Sequence, residues 1–214
     1  MNIQCLIFDL DGVICDTAKY HFLAWKEIAA GLGIELTPER NEALKGVGRR
    51  ESLQKILDIG GIRLTADEFD RLCYNKNQQY LRYIHAMTPR DLLPGVQAFL
   101  QEARQLGLAI ALGSASKNAG TILSQLGISS LFDNIQDGNT APRSKPDPQV
   151  FTQAADALRI PYTRCVVFED SMAGIQAAKS VGMRTIGIGQ SLVEADKYIS
   201  GFIGKHPETL LSGL

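Results

Sequence analysis

One short stretch near the N-terminus constrains this chain more than any other: Cys5-Leu6-Ile7-Phe8-Asp9-Leu10-Asp11-Gly12-Val13-Ile14. Its first four apolar or thiol side chains read as a strand buried on both faces, as in a parallel sheet covered by helices on both sides. The run then breaks into charge, and period-two alternation puts Asp9 and Asp11 on the same side of the strand's end. Carboxylates that close repel, so the pair calls for a cation or a shared proton. Alone, an Asp-x-Asp-Gly after a strand also suits an ordinary turn.

Beyond this stretch the pattern turns helical. Tyr20, Leu23, Ala24, Ile28 and Ala29 have helical spacing between Asp16 and Gly33, and Thr37-Pro38 offers an N-cap and first-turn proline for a second helix ending near Lys45-Gly46-Val47-Gly48. Leu53, Ile56 and Leu57 share one face of a third helix that stops at Gly60-Gly61. Thr65 and Glu68 have the spacing of a capping box, with Leu64 and Phe69 placed as its staple. After Pro89 the period changes. Strands are expected at Leu108–Leu112, Phe132–Ile135, Cys165–Phe168 and Arg184–Ile188, alternating with helices at Asn118–Leu126, Asp147–Leu158 and Met172–Val181. Joined to residues 3–8, that alternation predicts an α/β fold, an open parallel sheet with helices on both faces. Residues 1–16 and 88–214 would form this core, and 17–87 a four-helix insert hinged on two neighbouring connections. The segment after Gln190 gives no clear pattern.

Length and charge narrow the function. A chain of 214 residues suits a core plus an insert. With 22 basic against 23 acidic residues there is no electrostatic footprint for nucleic acid or an anionic membrane, so the expected partner is a small molecule. Cys5, Cys15, Cys73 and Cys165 lack metal-site spacing and read as reduced packing residues. No basic leader precedes the first strand and no apolar run could span a bilayer, from which a soluble cytoplasmic protein is expected.

In an open α/β sheet, ligands bind beyond the carboxyl ends of the strands. Asp9 and Asp11 follow the first strand, Gly113-Ser114-Ala115-Ser116 the next, and Glu169-Asp170-Ser171 the one ending at Phe168, while Ser144-Lys145-Pro146 precedes the Pro148 helix. Each has a plain reading: an acidic helix start, serine caps, a solvated lysine. Such accidents need not all fall at strand ends. Together the residues describe a phosphoryl site, with Asp9, Glu169 and Asp170 as oxygen ligands for Mg²⁺. Ser114 and Lys145 would hold phosphate oxygens, Asp9 would attack phosphorus and Asp11 would move the proton.

By Asp9-Leu10-Asp11-Gly12, Ser114, Lys145 and Glu169-Asp170, in this order, the chain resembles the haloacid dehalogenase-like superfamily of phosphotransferases. Its insert, through Asp16-Thr17-Ala18-Lys19-Tyr20-His21-Phe22-Leu23-Ala24-Trp25 and Leu44-Lys45-Gly46-Val47-Gly48-Arg49, is similar to that of the superfamily's sugar-phosphate mutases. Ser114-Ala115-Ser116-Lys117-Asn118 supports the same match. The resemblance implies a Rossmann-like doubly wound core under a helical cap, a Mg²⁺ cofactor and an aspartyl-phosphate at Asp9. It implies interconversion of β-glucose 1-phosphate and glucose 6-phosphate through β-glucose 1,6-bisphosphate; separately, a monomer is expected. Asp11 would also be a metal ligand through its carbonyl, completing a shell with Asp9, Glu169 and Asp170. Arg49, Ser116, Lys117 and Asn118 would meet the second phosphate. Thr17, His21, Trp25 and Lys76 would bind sugar or position Asp11, beside Gly46, Val47 and Ala115. Gly48 stands where the mutases commonly have serine, so a hydroxyl contact there is expected to be lost or taken over by backbone. A sugar-phosphate phosphatase would use the same core residues. A non-catalytic receiver-like module fits poorly, since receivers usually carry the acceptor after a middle strand and lack such an insert.

Overall fold

The computed structural model describes residues 3–44, 47–189 and 193–214. Its described strands are β1 (Cys5–Phe8), β2 (Ala109–Gly113), β3 (Asn134–Gln136), β4 (Cys165–Glu169), β5 (Arg184–Ile188) and β6 (Lys197–Ile199). They form one parallel sheet in the order β3-β2-β1-β4-β5-β6. Between β1 and β2 lie the helices of the insert, α1 (Ala18–Gly31), α2 (Pro38–Glu42), α3 (Arg49–Gly60) and α4 (Ala66–His85), and then α5 (Val96–Gln105). Further on come α6 (Ala119–Gln125), α7 (Gln149–Ala157), α8 (Met172–Ser180) and α9 (Pro207–Leu211).

β1 is central, with Cys5 opposite Ala109 on one side and Cys165 on the other. Alternation sends Leu6 and Phe8 to a cluster with Phe99 and Leu100 of α5 and Ile122 of α6, and Cys5 and Ile7 to one with Phe151 of α7 and Ala178 of α8. Phe8 stacks on Phe168 with ring centroids 4.6 Å apart, and Phe99 meets both rings edge-on. The insert has its own apolar cluster around Trp25, Leu53, Ile56 and Leu57. Its two connections to the sheet run side by side, because Cys15 pairs antiparallel with Leu92 and the Leu93 N–H donates to the Ile14 carbonyl at 2.9 Å.

The capping signals act as their spacing implies. Thr37 accepts from the Arg40 N–H, and Thr65 and Glu68 close a reciprocal capping box. α2 nevertheless ends at Glu42, sooner than its spacing suggested. All four cysteines are free and buried. Among the described residues no helix is long and apolar enough to cross a membrane.

β6 had no readable pattern because it is three residues long with Tyr198 exposed, and its pairing with β5 is reinforced by a side chain outside it. Asp196 accepts from the Thr185 N–H at 2.8 Å and the Thr185 hydroxyl at 2.9 Å, tying β5 to the last strand. Burial would raise this carboxyl's pKa, but the Thr185 bonds and the nearby Lys179 outweigh it and hold the pKa below the ordinary value. A carboxylate depressed in this way stabilises the fold above its unfolded pKa and stops doing so as pH falls through the folded one. Asp196→Asn should therefore cost about 1–2 kcal/mol at neutral pH, with the gap to the parent in thermal unfolding closing in strong acid. A gap that persisted in acid would exclude the ionised carboxylate as its source.

Candidate active site

The carboxyl ends of β1 and β4 bring the acids together. The Asp9 N–H donates to the Phe168 carbonyl at 2.9 Å, which fixes where its side chain leaves the sheet. Carboxylate oxygens of Asp9, Glu169 and Asp170 lie within 4.8 Å of one another. Lys145 reaches this group from the loop before α7, its ammonium fully buried, donating to Asp9 Oδ1 at 2.6 Å and Glu169 Oε2 at 2.7 Å. Burial opposes its charge, but the two carboxylates prevail and hold its pKa above the usual lysine value. Asp9 is pushed up to about 7, chiefly by burial, against the pull of Lys145. Three carboxylates and no softer donor make a set suited to a hard divalent cation.

Glu169 is held from its other side as well. Its Oε1 accepts from the Asp170 N–H, the Ser171 N–H and the Ser171 hydroxyl at 3.1, 3.0 and 2.7 Å, and Ser171 in turn caps α8 by accepting from the Gly174 N–H. A Cβ at Gly174 would lie 2.0 Å from Glu169 Oε2, and one at Gly12, whose φ is +85°, would lie 2.2 Å from Asp170 Oδ2. Both glycines thus leave room for carboxylates. Gly174→Ala should displace Glu169 and lower divalent-cation affinity by about tenfold or more, measured by calorimetric titration of the folded variant. Unaltered affinity would show that Glu169 tolerates a shift.

Asp11 has partners of its own, all from the insert. The Thr17 hydroxyl donates to Asp11 Oδ1, and His21 Nε2 stands 3.8 Å from the same oxygen. Lys76 Nζ meets His21 Nδ1 at 2.7 Å and lies over the rings of Trp25 and Tyr80, 5.1 and 4.5 Å from their centroids. When Lys76 is charged it only donates, so Nδ1 then accepts and the imidazole proton sits on Nε2, 3.8 Å from Asp11 Oδ1. Burial, then Lys76 and Arg49, push the His21 pKa well below its ordinary value, leaving it neutral. Burial raises Asp11 to about 6 and lowers Lys76 to about 7. Lys145 is thus the main relief for Asp9, while Asp11 is relieved first by Lys76 of the cap and then by Lys145.

Asp9, Asp11 and Asp170 open onto a cleft of about 830 Å³ between core and cap, lined on the cap side by His21, Trp25, Val47, Arg49 and Lys76. Ala115, Ser116, Lys117 and Asn118 line the core side. Thr17, Lys145 and Glu169 are fully or almost fully buried. Ser114 is buried too, and its hydroxyl accepts the Ser116 N–H at 3.1 Å, shaping the turn after β2. Gly46, with Lys45, lies outside the described residues. Gly48 contacts the core through its backbone, donating to Ser144 Oγ at 3.0 Å, and a Cβ there would fall 2.5 Å from that oxygen. Sequence reasoning placed Ser144 and Ser171 at the rim without giving them a role, and passed over Gly174 and Asn77. Only Ser171 carried a signal, as an N-cap serine before the Met172 helix.

Strand-end carboxylates around a buried lysine, facing a cleft into which Arg49, Lys76 and Lys117 open under a helical cap, define an α/β enzyme with an oxygen-donor centre. The chain belongs to the haloacid dehalogenase-like hydrolase family, whose sequence profile matches residues 3–182. It is 45% identical to the β-phosphoglucomutase of Bacillus subtilis (strain 168) over 190 residues, 88% of this chain and 84% of the relative. A fructose-1-phosphate phosphatase of Escherichia coli (strain K12) is 30% identical over 183 residues, 86% of this chain and 95% of the relative. The crystal structure of a β-phosphoglucomutase from Clostridium difficile superposes with a TM-score of 0.94 at 38% identity, covering 97% of this chain and 95% of that one.

Proposed function

We propose that this enzyme interconverts β-glucose 1-phosphate and glucose 6-phosphate through β-glucose 1,6-bisphosphate, with Mg²⁺ held by Asp9, Glu169, Asp170 and the Asp11 carbonyl. The observation that carries the reading is the pairing of two carboxylates with separate environments: Asp9 on a buried lysine and Asp11 on the Thr17 hydroxyl beside His21. A Mg²⁺ ion bound at this carboxylate set would hold Asp9 ionised and neutralise charge on the phosphoryl oxygens. Asp9 attacks phosphorus and becomes the aspartyl-phosphate, and Lys145 and Ser114 steady the phosphoryl group. Asp11, with a pKa of about 6, gives its proton to the departing sugar oxygen and takes one from the hydroxyl that later attacks. Arg49, Ser116, Lys117 and Asn118 receive the phosphate that is not transferring, while Trp25, Lys76, Val47 and Ala115 bound the sugar. The enzyme acts as a monomer on small sugar phosphates in the cytoplasm.

The 45% identity to a β-phosphoglucomutase supports this reading over a phosphatase, which a 30% identical relative keeps as the second one. The test is to supply β-glucose 1-phosphate with Mg²⁺ and a trace of bisphosphate. Glucose 6-phosphate should appear much faster than inorganic phosphate. Fast phosphate release without the isomer would replace the mutase by the phosphatase.

A further inference from the structure

Two residues that line the cleft from different domains, Arg49 and Asn118, share one side-chain oxygen. Asn77, on α4 next to Lys76, accepts at Oδ1 from Arg49 Nη2 at 2.7 Å and from Asn118 Nδ2 at 3.0 Å. Arg49 can only donate, so the Asn77 atom facing it must be oxygen, and Asn118 must turn its NH₂ group toward that oxygen. Arg49 belongs to the insert and Asn118 to the sheet core, so this amide bridges the cleft.

Both bridged residues are placed against their local preferences. Asn118 is the N-cap of α6, where asparagine ordinarily accepts from its own helix, yet its side chain makes no cap hydrogen bond. Arg49 is the first residue of α3, where a cation is unfavourable to the helix dipole. Neither placement serves its own helix. Each serves a shared acceptor behind the cleft lining that Arg49 and Asn118 form.

We propose that Asn77 is a positioning residue that joins Arg49 of the cap to Asn118 of the core, so that the receptor for the non-transferring phosphate is assembled as one unit when the cap covers the core. The proposal rests on the assignment of that phosphate to Arg49 and Asn118. A guanidinium carries five donors, so Arg49 keeps Asn77 with one and offers the others to phosphate oxygens.

Two phosphoryl donors separate this role from a general structural one. β-Glucose 1,6-bisphosphate carries the second phosphate, whereas acetyl phosphate, which phosphorylates Asp9 with loss of acetate, has none. Asn77→Ala should lower the efficiency of Asp9 phosphorylation by the bisphosphate about tenfold more than that by acetyl phosphate. In an Arg49→Ala background the same substitution should add less than about twofold. Asn77→Gln, which keeps the amide but moves its oxygen, should show the same selectivity should the alanine variant fold poorly. Equal losses with both donors, or full additivity with Arg49→Ala, would overturn the proposal while leaving the phosphate assignment intact. An Arg49→Ala variant that used the bisphosphate as well as the parent would instead remove the assignment, and the proposal with it.

Discussion

Asp9→Asn should abolish formation of the phosphorylated enzyme and cut turnover by about 10⁴-fold or more. An amide of almost the same shape cannot supply the attacking oxygen, while Lys145 keeps its 2.7 Å bond to Glu169 and the Asp9 backbone keeps its bond to Phe168. The fold should survive. Burial raises the Asp9 pKa to about 7, so at neutral pH its ionisation opposes folding, and the penalty grows as pH rises from the unfolded value toward the folded one. The neutral variant escapes that penalty and should unfold no earlier than the parent at pH 8. Mass spectrometry after incubation with a phosphoryl donor, together with a thermal melt, reads both outcomes. A phosphorylated Asp9→Asn protein would move the nucleophile elsewhere.

Lys145→Met should be the most damaging change to the resting site. It removes a fully buried ammonium that touches both Asp9 and Glu169, leaving buried carboxylates whose close partner is gone. Breaking a buried pair from one side typically costs about 3–5 kcal/mol. The cost should grow with pH, because the stranded acids can escape it only by taking up protons. A divalent cation should restore part of the loss by supplying the missing charge, and turnover should still fall by about 10²–10³-fold for want of the phosphoryl anchor. Thermal melts from pH 5 to 8, with and without Mg²⁺, are the measurement. A variant as stable as the parent at pH 8 would mean that Lys145 does not balance these acids.

The central strands were legible because burial on both faces leaves continuous apolar runs, as in Cys5–Phe8 and Cys165–Phe168, and because Thr37 and Thr65 announce their helices by cap chemistry. β6 was not, since three residues are too few to show a period and Asp196, outside them, adds a tie to Thr185 that no local pattern encodes. The acids and Lys145 could be placed because strand ends must converge. Their supports could not: Gly174 matters only through the space Glu169 fills, and Asn77 only through a meeting of helices that no local period encodes. The repulsion expected between Asp9 and Asp11 is present in the raised pKa of Asp9, but burial is the larger cause.

The side-by-side connections at Ile14–Cys15 and Leu92–Leu93 would give any cap movement its pivot, three residues from Asp11. Thr17 and His21 sit just beyond those connections on the cap side, whereas Asp9 and Lys145 sit on the sheet side. A cap swinging outward would carry the hydroxyl and imidazole away from Asp11 and leave the lysine clamp on Asp9 untouched. Admission of water and disarming of the proton carrier would then be one motion, a safety interlock that guards a phosphorylated Asp9 whenever the cleft is open.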